Sequence, residues 1–439
     1  MSSIPGSHYN VFAGNQQVTF GPPIAGDFNL QVVTNGSGSG NFALGPGFQG
    51  LAVLSSAGNV ITALHGDYAL VDNGTNDQVF LGDGSASVGG AIGDTLQGGT
   101  GSAQFLDGTQ GHQSIAGGSA GNETVWGGAG DTIGGGSGAN MTIGGVFSNV
   151  ITGGSAGNAF IDASKGGQSI TGGSGGNETI WGGAGDTIGA GSGANVTIGG
   201  VSGDTITGGS GGNVFIDASK GGQSIAGGSG GNETIWGGSG DTIRGGAANE
   251  TIGGVPNDTI VGGTGNAFID GSQGGQSITG GSAGNETTWS GAGDTIHGGA
   301  GNVTVGGVAG NTIVGGSGNA FLDGGQGHQS IVGGSGNSTI WGGNGDTIQG
   351  ASGSGQAQIG FGASHSTAET LWDDGTATGQ DTVSDFHTST DHISLASGEN
   401  VSTSHVVGGN VVITLSNGST ITFLNTTDVN GILGTVTHH

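Results

Sequence analysis

The chain predicts an all-β fold: a parallel β-solenoid with a β region before it and a β domain after it. Three observations predict this. Glycine supplies 112 of the 439 residues, in register with isoleucine, threonine and aspartate. A block around Trp126 recurs at Trp181, Trp236, Trp289 and Trp341, at intervals of 52 to 55 residues. Inside each block runs a beat of about nine residues, marked by Gly-Gly and a triplet such as Asp186-Thr187-Ile188, the mark of a stacked repeat. Collagen is excluded, because its triple helix needs glycine at every third residue.

Residues 1–90 are the least repetitive. Short apolar or alternating runs stand out at Gln17–Phe20, Leu30–Val33, Leu51–Leu54, Val60–Leu64 and Val79–Leu81, separated by Gly, Asn and Pro. They read as a β domain or as the capped start of the solenoid, whose open end needs shielding.

Residues 91–360 form the solenoid block of about five long units. The unit from Asp131 to Gly185 is written as rungs headed by Asp131-Thr132-Ile133, Met141-Thr142-Ile143, Asn149-Val150-Ile151, Asn158-Ala159-Phe160, Gln168-Ser169-Ile170 and Glu178-Thr179-Ile180. Each triplet is a very short strand. Its third, apolar residue is expected inside and its middle residue outside. Two rungs per coil give about 18 residues per coil, and three would make a triangular coil. Two is preferred, because it lines one edge with Asp131, Asn149, Gln168, Asp186, Asp204, Gln223, Asp241 and Asp258, all polar.

Residues 361–439 change character. Glycine thins and alternation returns in Val411–Leu415 and Thr420–Leu424, with Asn417-Gly418 between them as a hairpin signal.

Charge narrows the function. There are 31 Asp and Glu against 3 Lys and Arg, for a net charge of -28. Nucleic acid is excluded as a partner, since phosphate contacts need Lys or Arg. Without a run of about 18 apolar residues, no transmembrane helix or membrane insertion is expected. So many unneutralised carboxylates point to a divalent cation. With no Cys, disulfides and thiolate metal sites are excluded. The start, Met1 to Gly6, lacks the basic and apolar regions of a cleaved secretory signal.

The nine-residue beat resembles the RTX (hemolysin-type) nonapeptide, Gly-Gly-x-Gly-x-Asp-x-apolar-x, of calcium-binding β-rolls. Gly182-Gly183-Ala184-Gly185-Asp186-Thr187-Ile188 and Gly237-Gly238-Ser239-Gly240-Asp241-Thr242-Ile243 come nearest, one residue short between Gly and Asp. Elsewhere Asn, Gln, Val or Met stands at the Asp place, so the nonapeptides are degenerate. The resemblance implies Ca2+ as cofactor, held by Asp131, Asp186, Asp204, Asp241, Asp258, Asp294 and Asp346 with backbone carbonyls from stacked coils. Asp186 with Asp204 and Asp241 with Asp258 are the strongest pairs. Asp131 and Asp294 face Asn149 and Asn311. Side-chain amide ladders are the calcium-free alternative for such stacked turns.

A second stretch, Gly379-Gln380-Asp381-Thr382-Val383-Ser384-Asp385-Phe386 followed by Asp391-His392-Ile393-Ser394-Leu395, is similar to the segment closing RTX repeats in type I secreted proteins. This implies an uncleaved C-terminal export signal, recognition by the type I secretion machinery and an extracellular or cell-surface location.

Other residues carry less chemistry. Thr132, Thr142, Thr179, Thr187, Thr197, Thr205, Thr234 and Thr242 are expected on a flat outward face, through β propensity or for ice binding. The repeated Trp follows the inward residue of its triplet, so it should face outward, to dock a neighbouring rod or a sugar ring, or pack on a glycine turn. His112 and His328 stand where other copies have Gly222 and Gly275. There is no His-Glu-x-x-His helix, Gly-x-Ser-x-Gly elbow or Walker loop, so no enzyme is expected. The expected function is a secreted extracellular structural protein, calcium-assisted, assembling with itself into a surface layer, matrix fibre or adhesive coat. The alternative is an ice- or polysaccharide-binding module that does not assemble.

Overall fold

The computed structural model describes residues 7–13, 28–34, 41–43, 47–54, 57–63, 68–362, 367–376 and 378–439. The run Gln17–Phe20 and Leu64 lie outside the described residues. Strand accounts for 47% of the structure and helix for 2%. The described residues form about 18 parallel coils, in two compact units, Met1–Asp217 and Ala218–His439.

Each repeat coil has two strands, a longer one of four to six residues and a shorter one of three, so the two-rung coil is the one that forms. In the first unit, Asn177–Gly182 pairs in parallel with Asn195–Gly199, and Ser169–Thr171 pairs with Thr187–Gly189. In the second, Asn232–Trp236 pairs with Asn249–Gly253, and Thr242–Arg244 with Thr259–Val261. Parallel in-register stacking places like on like: Ile180 beside Ile198, Ile170 beside Ile188, Ile235 beside Ile252.

The core follows from that register. In the first unit, Ile143, Ile161, Ile180, Ile198 and Ile216 from the longer strands are buried, as are Ile133, Ile151, Ile170, Ile188 and Ile206 from the shorter ones. Burying each is worth about 1.5–3 kcal/mol. β-branched isoleucine suits both the extended backbone and this narrow interior.

One expected triplet is out by a residue. The nine-residue beat puts Phe160 inside as the third member of Asn158-Ala159-Phe160, but Phe160 is exposed and Ile161 is buried, with Ala159 inward beside it. The same holds at Val214, Phe215 and Ile216. Side chains alternate along a strand, so moving the register by one residue exchanges the two faces. The neighbouring coil decides the register: Ile161 pairs with Ile180, and Phe160 with Thr179.

Close stacking explains much of the glycine. At Gly212 an added Cβ would overlap the Ala194 carbonyl oxygen of the preceding coil, so no side chain fits. At Gly185 the reason is backbone conformation instead, with φ +75 in the turn before Asp186. His112 and His328 adopt the same left-handed conformation, φ 55 and 58, that Gly222 and Gly275 adopt in their copies.

The stack begins well before residue 91. Ser7–Ala13 pairs with Phe28–Thr34, which pairs with Gly50–Leu54, then Tyr68–Asp72, Ala86–Gly89 and Ala103–Gly108, all parallel. The described early strands thus stack in the same parallel order as the repeat block. The parallel order also continues past residue 361: Gln356–Gly360 pairs with Gln380–Ser384, and Thr370–Asp373 with His392–Leu395. The expected hairpin forms, with Asn410–Leu415 antiparallel to Thr420–Phe423 and Gly418 at φ 92 between them. Thr420–Phe423 also pairs in parallel with Gln380–Ser384, joining the hairpin to the coils. Phe386 lies between Phe361 and Phe423, with ring centroids 5.5 and 5.0 Å away. A short helix, Val429–Gly434, precedes the last strand, Val436–His438.

Candidate functional site

In each unit, the aspartates expected to hold calcium line one corner of its coils. They are buried, each about 1% exposed. Gln168 N–H donates to Asp186 Oδ1 at 2.7 Å, and Gly183 N–H donates to Asp186 Oδ2 at 2.6 Å. One coil on, Asp186 N–H donates to Asp204 Oδ1 at 2.9 Å, and Val201 N–H to Asp204 Oδ2 at 2.8 Å. The second unit repeats the device: Gln223 N–H donates to Asp241, and Asp241 N–H to Asp258, at 2.8 and 2.9 Å. Asp131 and Asp294 each accept from a glutamine N–H in the coil before and donate their own N–H to Asn149 and Asn311. Asp346 accepts from Gln329 and Gly343.

The stacked pairs foreseen from spacing are thus neighbours, but their surroundings are not those of a calcium shell. Calcium needs six to eight oxygens. The groups aimed at these carboxylates are N–H donors, and the side chains are almost fully buried. Among the described residues, no group of three or more His, Asp or Glu side chains could hold a metal ion. The seven aspartates do not fit calcium. They satisfy backbone N–H groups that would otherwise be orphaned in the core.

A Gln heads the ladder once in every three coils. Gln113, Gln168, Gln223, Gln276 and Gln329 each donate a backbone N–H to the next coil's aspartate. Each ladder then runs through an aspartate, followed in four of the five by a second Asp or an Asn. Asn59, Asp77 and Asp94 form an earlier ladder of the same kind, by N–H bonds of 2.7 and 2.9 Å. Their spacing of 17 to 18 residues was the signal for it.

A second internal set was not foreseen. Glu123, Glu178, Glu233, Glu250 and Glu286 point inward from the longer strands and are buried. Each accepts the N–H of the second glycine in a Gly-Gly turn: Gly118, Gly173, Gly228, Gly246 and Gly281. Their signal was position, since Glu178 heads its triplet as Asp186 heads the next.

Electrostatics follows burial. Desolvation raises the carboxyls of Asp186, Asp204, Asp241 and Asp258, and backbone N–H bonds pull them only partly back. Asp346 is pushed up to about 6 by burial, against its two backbone N–H bonds and the nearby His328. Glu250 rises to about 7, through burial and the charge of Glu233.

Amide ladders do exist, but elsewhere. Asn140 Nδ2 donates to Asn122 Oδ1 at 2.9 Å, and Asn158 to Asn140 at 3.1 Å, along the exposed start of the longer strands. Asn266 and Asn249, and Asn302 and Asn285, do the same in the second unit at 3.2 and 3.1 Å.

The two outward faces differ. Thr132, Thr187, Thr205 and Thr242 lie on the shorter strands, but Thr142, Thr179, Thr197 and Thr234 lie on the longer ones, so the expected single threonine face is divided. On the shorter strands of the second unit, hydroxyl residues from Ser224 and Thr242 to Thr347 form one in-register column. The longer strands carry the aromatics. Trp126, Trp181, Trp236, Trp289 and Trp341 all face outward, as do Phe160, Phe215, Phe268 and Phe321.

The tryptophans adopt two postures. A Cβ added at Gly144 would strike the Trp126 ring, and one at Gly199 or Gly253 would meet Trp181 or Trp236 at 2.6 or 2.8 Å. These three rings lie on the glycine of the next coil. At Gly306, the partner of Trp289, an added Cβ would meet nothing within 4 Å. At Gly360, the partner of Trp341, it would meet only Ser384 Oγ at 3.6 Å and Ile340 O at 3.9 Å. Accordingly Trp289 and Trp341 are 57% and 58% exposed, against 44–50% for the other three. Beside Trp341 an open trough of about 560 Å³ is lined by Gln358, Gly360, Thr382, Ser384 and Asp385.

No family model, no curated protein and no solved structure matches the chain.

Proposed function

We propose that this is a secreted structural protein, without catalytic chemistry, that assembles with copies of itself into a surface layer, matrix fibre or adhesive coat. The observation that carries the reading is the strand Val401–Val407. Among the described strands it pairs along one edge only, with Asn410–Leu415. Val406 and Val407 are exposed there, at 45% and 55%. An open strand edge bearing apolar residues is a template for pairing with another chain. Repetition supports the same reading, because one surface recurs every three coils and suits many equivalent contacts better than one reaction centre. Export through the type I machinery rests on the likeness of Gly379–Leu395 to the segment that closes such secreted chains. The reading needs no calcium at the corner aspartates.

Electron microscopy and sedimentation of the purified full chain test it. Wild-type protein is expected to form filaments or sheets, and a Val406→Lys, Val407→Lys double variant to remain as single folded particles. Single particles of the wild type at all concentrations would end the assembly reading.

A further inference from the structure

We propose that the trough beside Trp341 is a carbohydrate-binding site, taking the backbone of an uncharged polysaccharide. The inference goes beyond assembly and uses a different surface from the Val401–Val407 edge.

The argument starts from the tryptophan postures. Where the ring lies on a glycine, as Trp181 does on Gly199, one of its faces is already covered by protein. The Trp341 ring does not cover Gly360, and apart from its chain neighbours an added Cβ there would meet only Ser384 Oγ at 3.6 Å and Ile340 O at 3.9 Å, which leaves an open floor. A largely exposed ring beside an open glycine floor fits a flat, partly apolar ligand. A pyranose ring is such a ligand: its axial C–H groups make an apolar face and its hydroxyls radiate from the edge. Aromatic faces supply this kind of contact, and a few polar groups at the rim set orientation.

The rim has that composition. Gln358, Thr382, Ser384 and Asp385 line the trough and together offer amide, hydroxyl and carboxylate partners. Asp385 is held in a left-handed turn at φ 62. It immediately precedes Phe386, whose ring packs between Phe361 and Phe423, so the rim rests on a rigid support. A second, more polar trough of about 400 Å³ adjoins the first. It shares Gln358 and Thr382 and adds Asn337, Gln356 and Gln380. The site is therefore elongated, which suits a chain of sugars rather than a single one. A net charge of -28 and the Asp385 carboxylate select against acidic polysaccharides.

Titration calorimetry of the full chain tests this, with hexasaccharides of β-1,4-glucan, β-1,3-glucan, chitin and xylan as neutral probes and oligogalacturonate as the acidic one. At least one neutral probe should bind. Trp341→Ala should weaken it about tenfold, the scale of one aromatic contact. Gly360→Leu should abolish binding by filling the floor, and its Cβ comes no nearer than 3.9 Å to the Ile340 carbonyl oxygen. Trp126→Ala should bind as the wild type does. The proposal is overturned if no neutral probe binds, if oligogalacturonate binds as tightly, or if Trp341→Ala and Gly360→Leu bind like the wild type. It is also overturned if Trp341→Ala dissociates a dimer in sedimentation, since a second copy would then be the occupant. Assembly blocked by Val406→Lys, Val407→Lys with sugar binding intact would separate the two readings.

Discussion

Glu233 and Glu250 are register partners on successive coils, and both carboxyl groups are buried. Each accepts a glycine N–H, from Gly228 and Gly246. Burial first, and the charge of Glu233 beside it, raise the Glu250 carboxyl to about 7 against the ordinary 4.5.

That pair gives the fold a pH dependence opposite to that of salt-bridged carboxylates. The folded state holds the Glu250 proton more tightly than the unfolded chain does. The stabilisation is fully present below about pH 4.5 and is lost as pH rises through about 7. Asp94 and Asp346, both raised to about 6, act in the same direction. Melting monitored by circular dichroism should give a Tm several degrees higher at about pH 5.5 than at about pH 8.5. Glu250→Gln keeps the acceptor for Gly246 and should raise the Tm at the higher pH while flattening the profile. A Tm that rises with pH over this range would contradict the buried pair.

The corner ladder predicts indifference to calcium. Excess chelator should leave both the β signal and the Tm of the purified chain unchanged. Asp204→Ala should cost about 2–5 kcal/mol, because the N–H groups of Asp186 and Val201 lose their acceptor inside the protein. Asp204→Asn should cost less, since asparagine serves this corner at Asn149 and Asn311. A chelator-induced loss of structure would restore the metal reading.

Register makes a sharp contrast between adjacent residues. Ile161→Ala should destabilise by about 2–5 kcal/mol, the usual cost of a core truncation. Phe160→Ser, on the exposed face, should change stability by no more than about 0.5 kcal/mol. Equal effects in urea denaturation would mean that the strand Asn158–Ala163 is misregistered.

Two glycines separate close approach from open surface. Gly212→Ala puts a methyl group onto the Ala194 carbonyl and should cost roughly 3 kcal/mol or more, as overpacking does. Gly306→Ala meets nothing within 4 Å and should be neutral or slightly stabilising. Thermal melting of the two variants checks both.

Local chemistry repeated along the chain was enough to favour the two-strand coil and to place the inward isoleucines, the polar corner aspartates of each unit, the outward tryptophans and the C-terminal hairpin. Each depends on residue spacing, and spacing is visible in a sequence. Four things depended on which atoms of neighbouring coils meet. Parallel pairing with Ile180 put Ile161 inside and Phe160 outside, although Ala-Phe-Ile permits either reading by hydropathy. The corner carboxylates turned toward backbone N–H groups a coil away, which no nonapeptide pattern encodes, and so they satisfy the core instead of offering oxygens to a cation. The threonines divided between two sheets because alternate rungs face opposite sides. Trp341 stood clear of Gly360 while Trp181 lay on Gly199, though both follow the same Thr-Ile-Trp-Gly string. The physical reason is common to all four: periodicity sets where the chain bends, whereas side-chain direction and hydrogen-bond partners are chosen only when one coil is packed against the next.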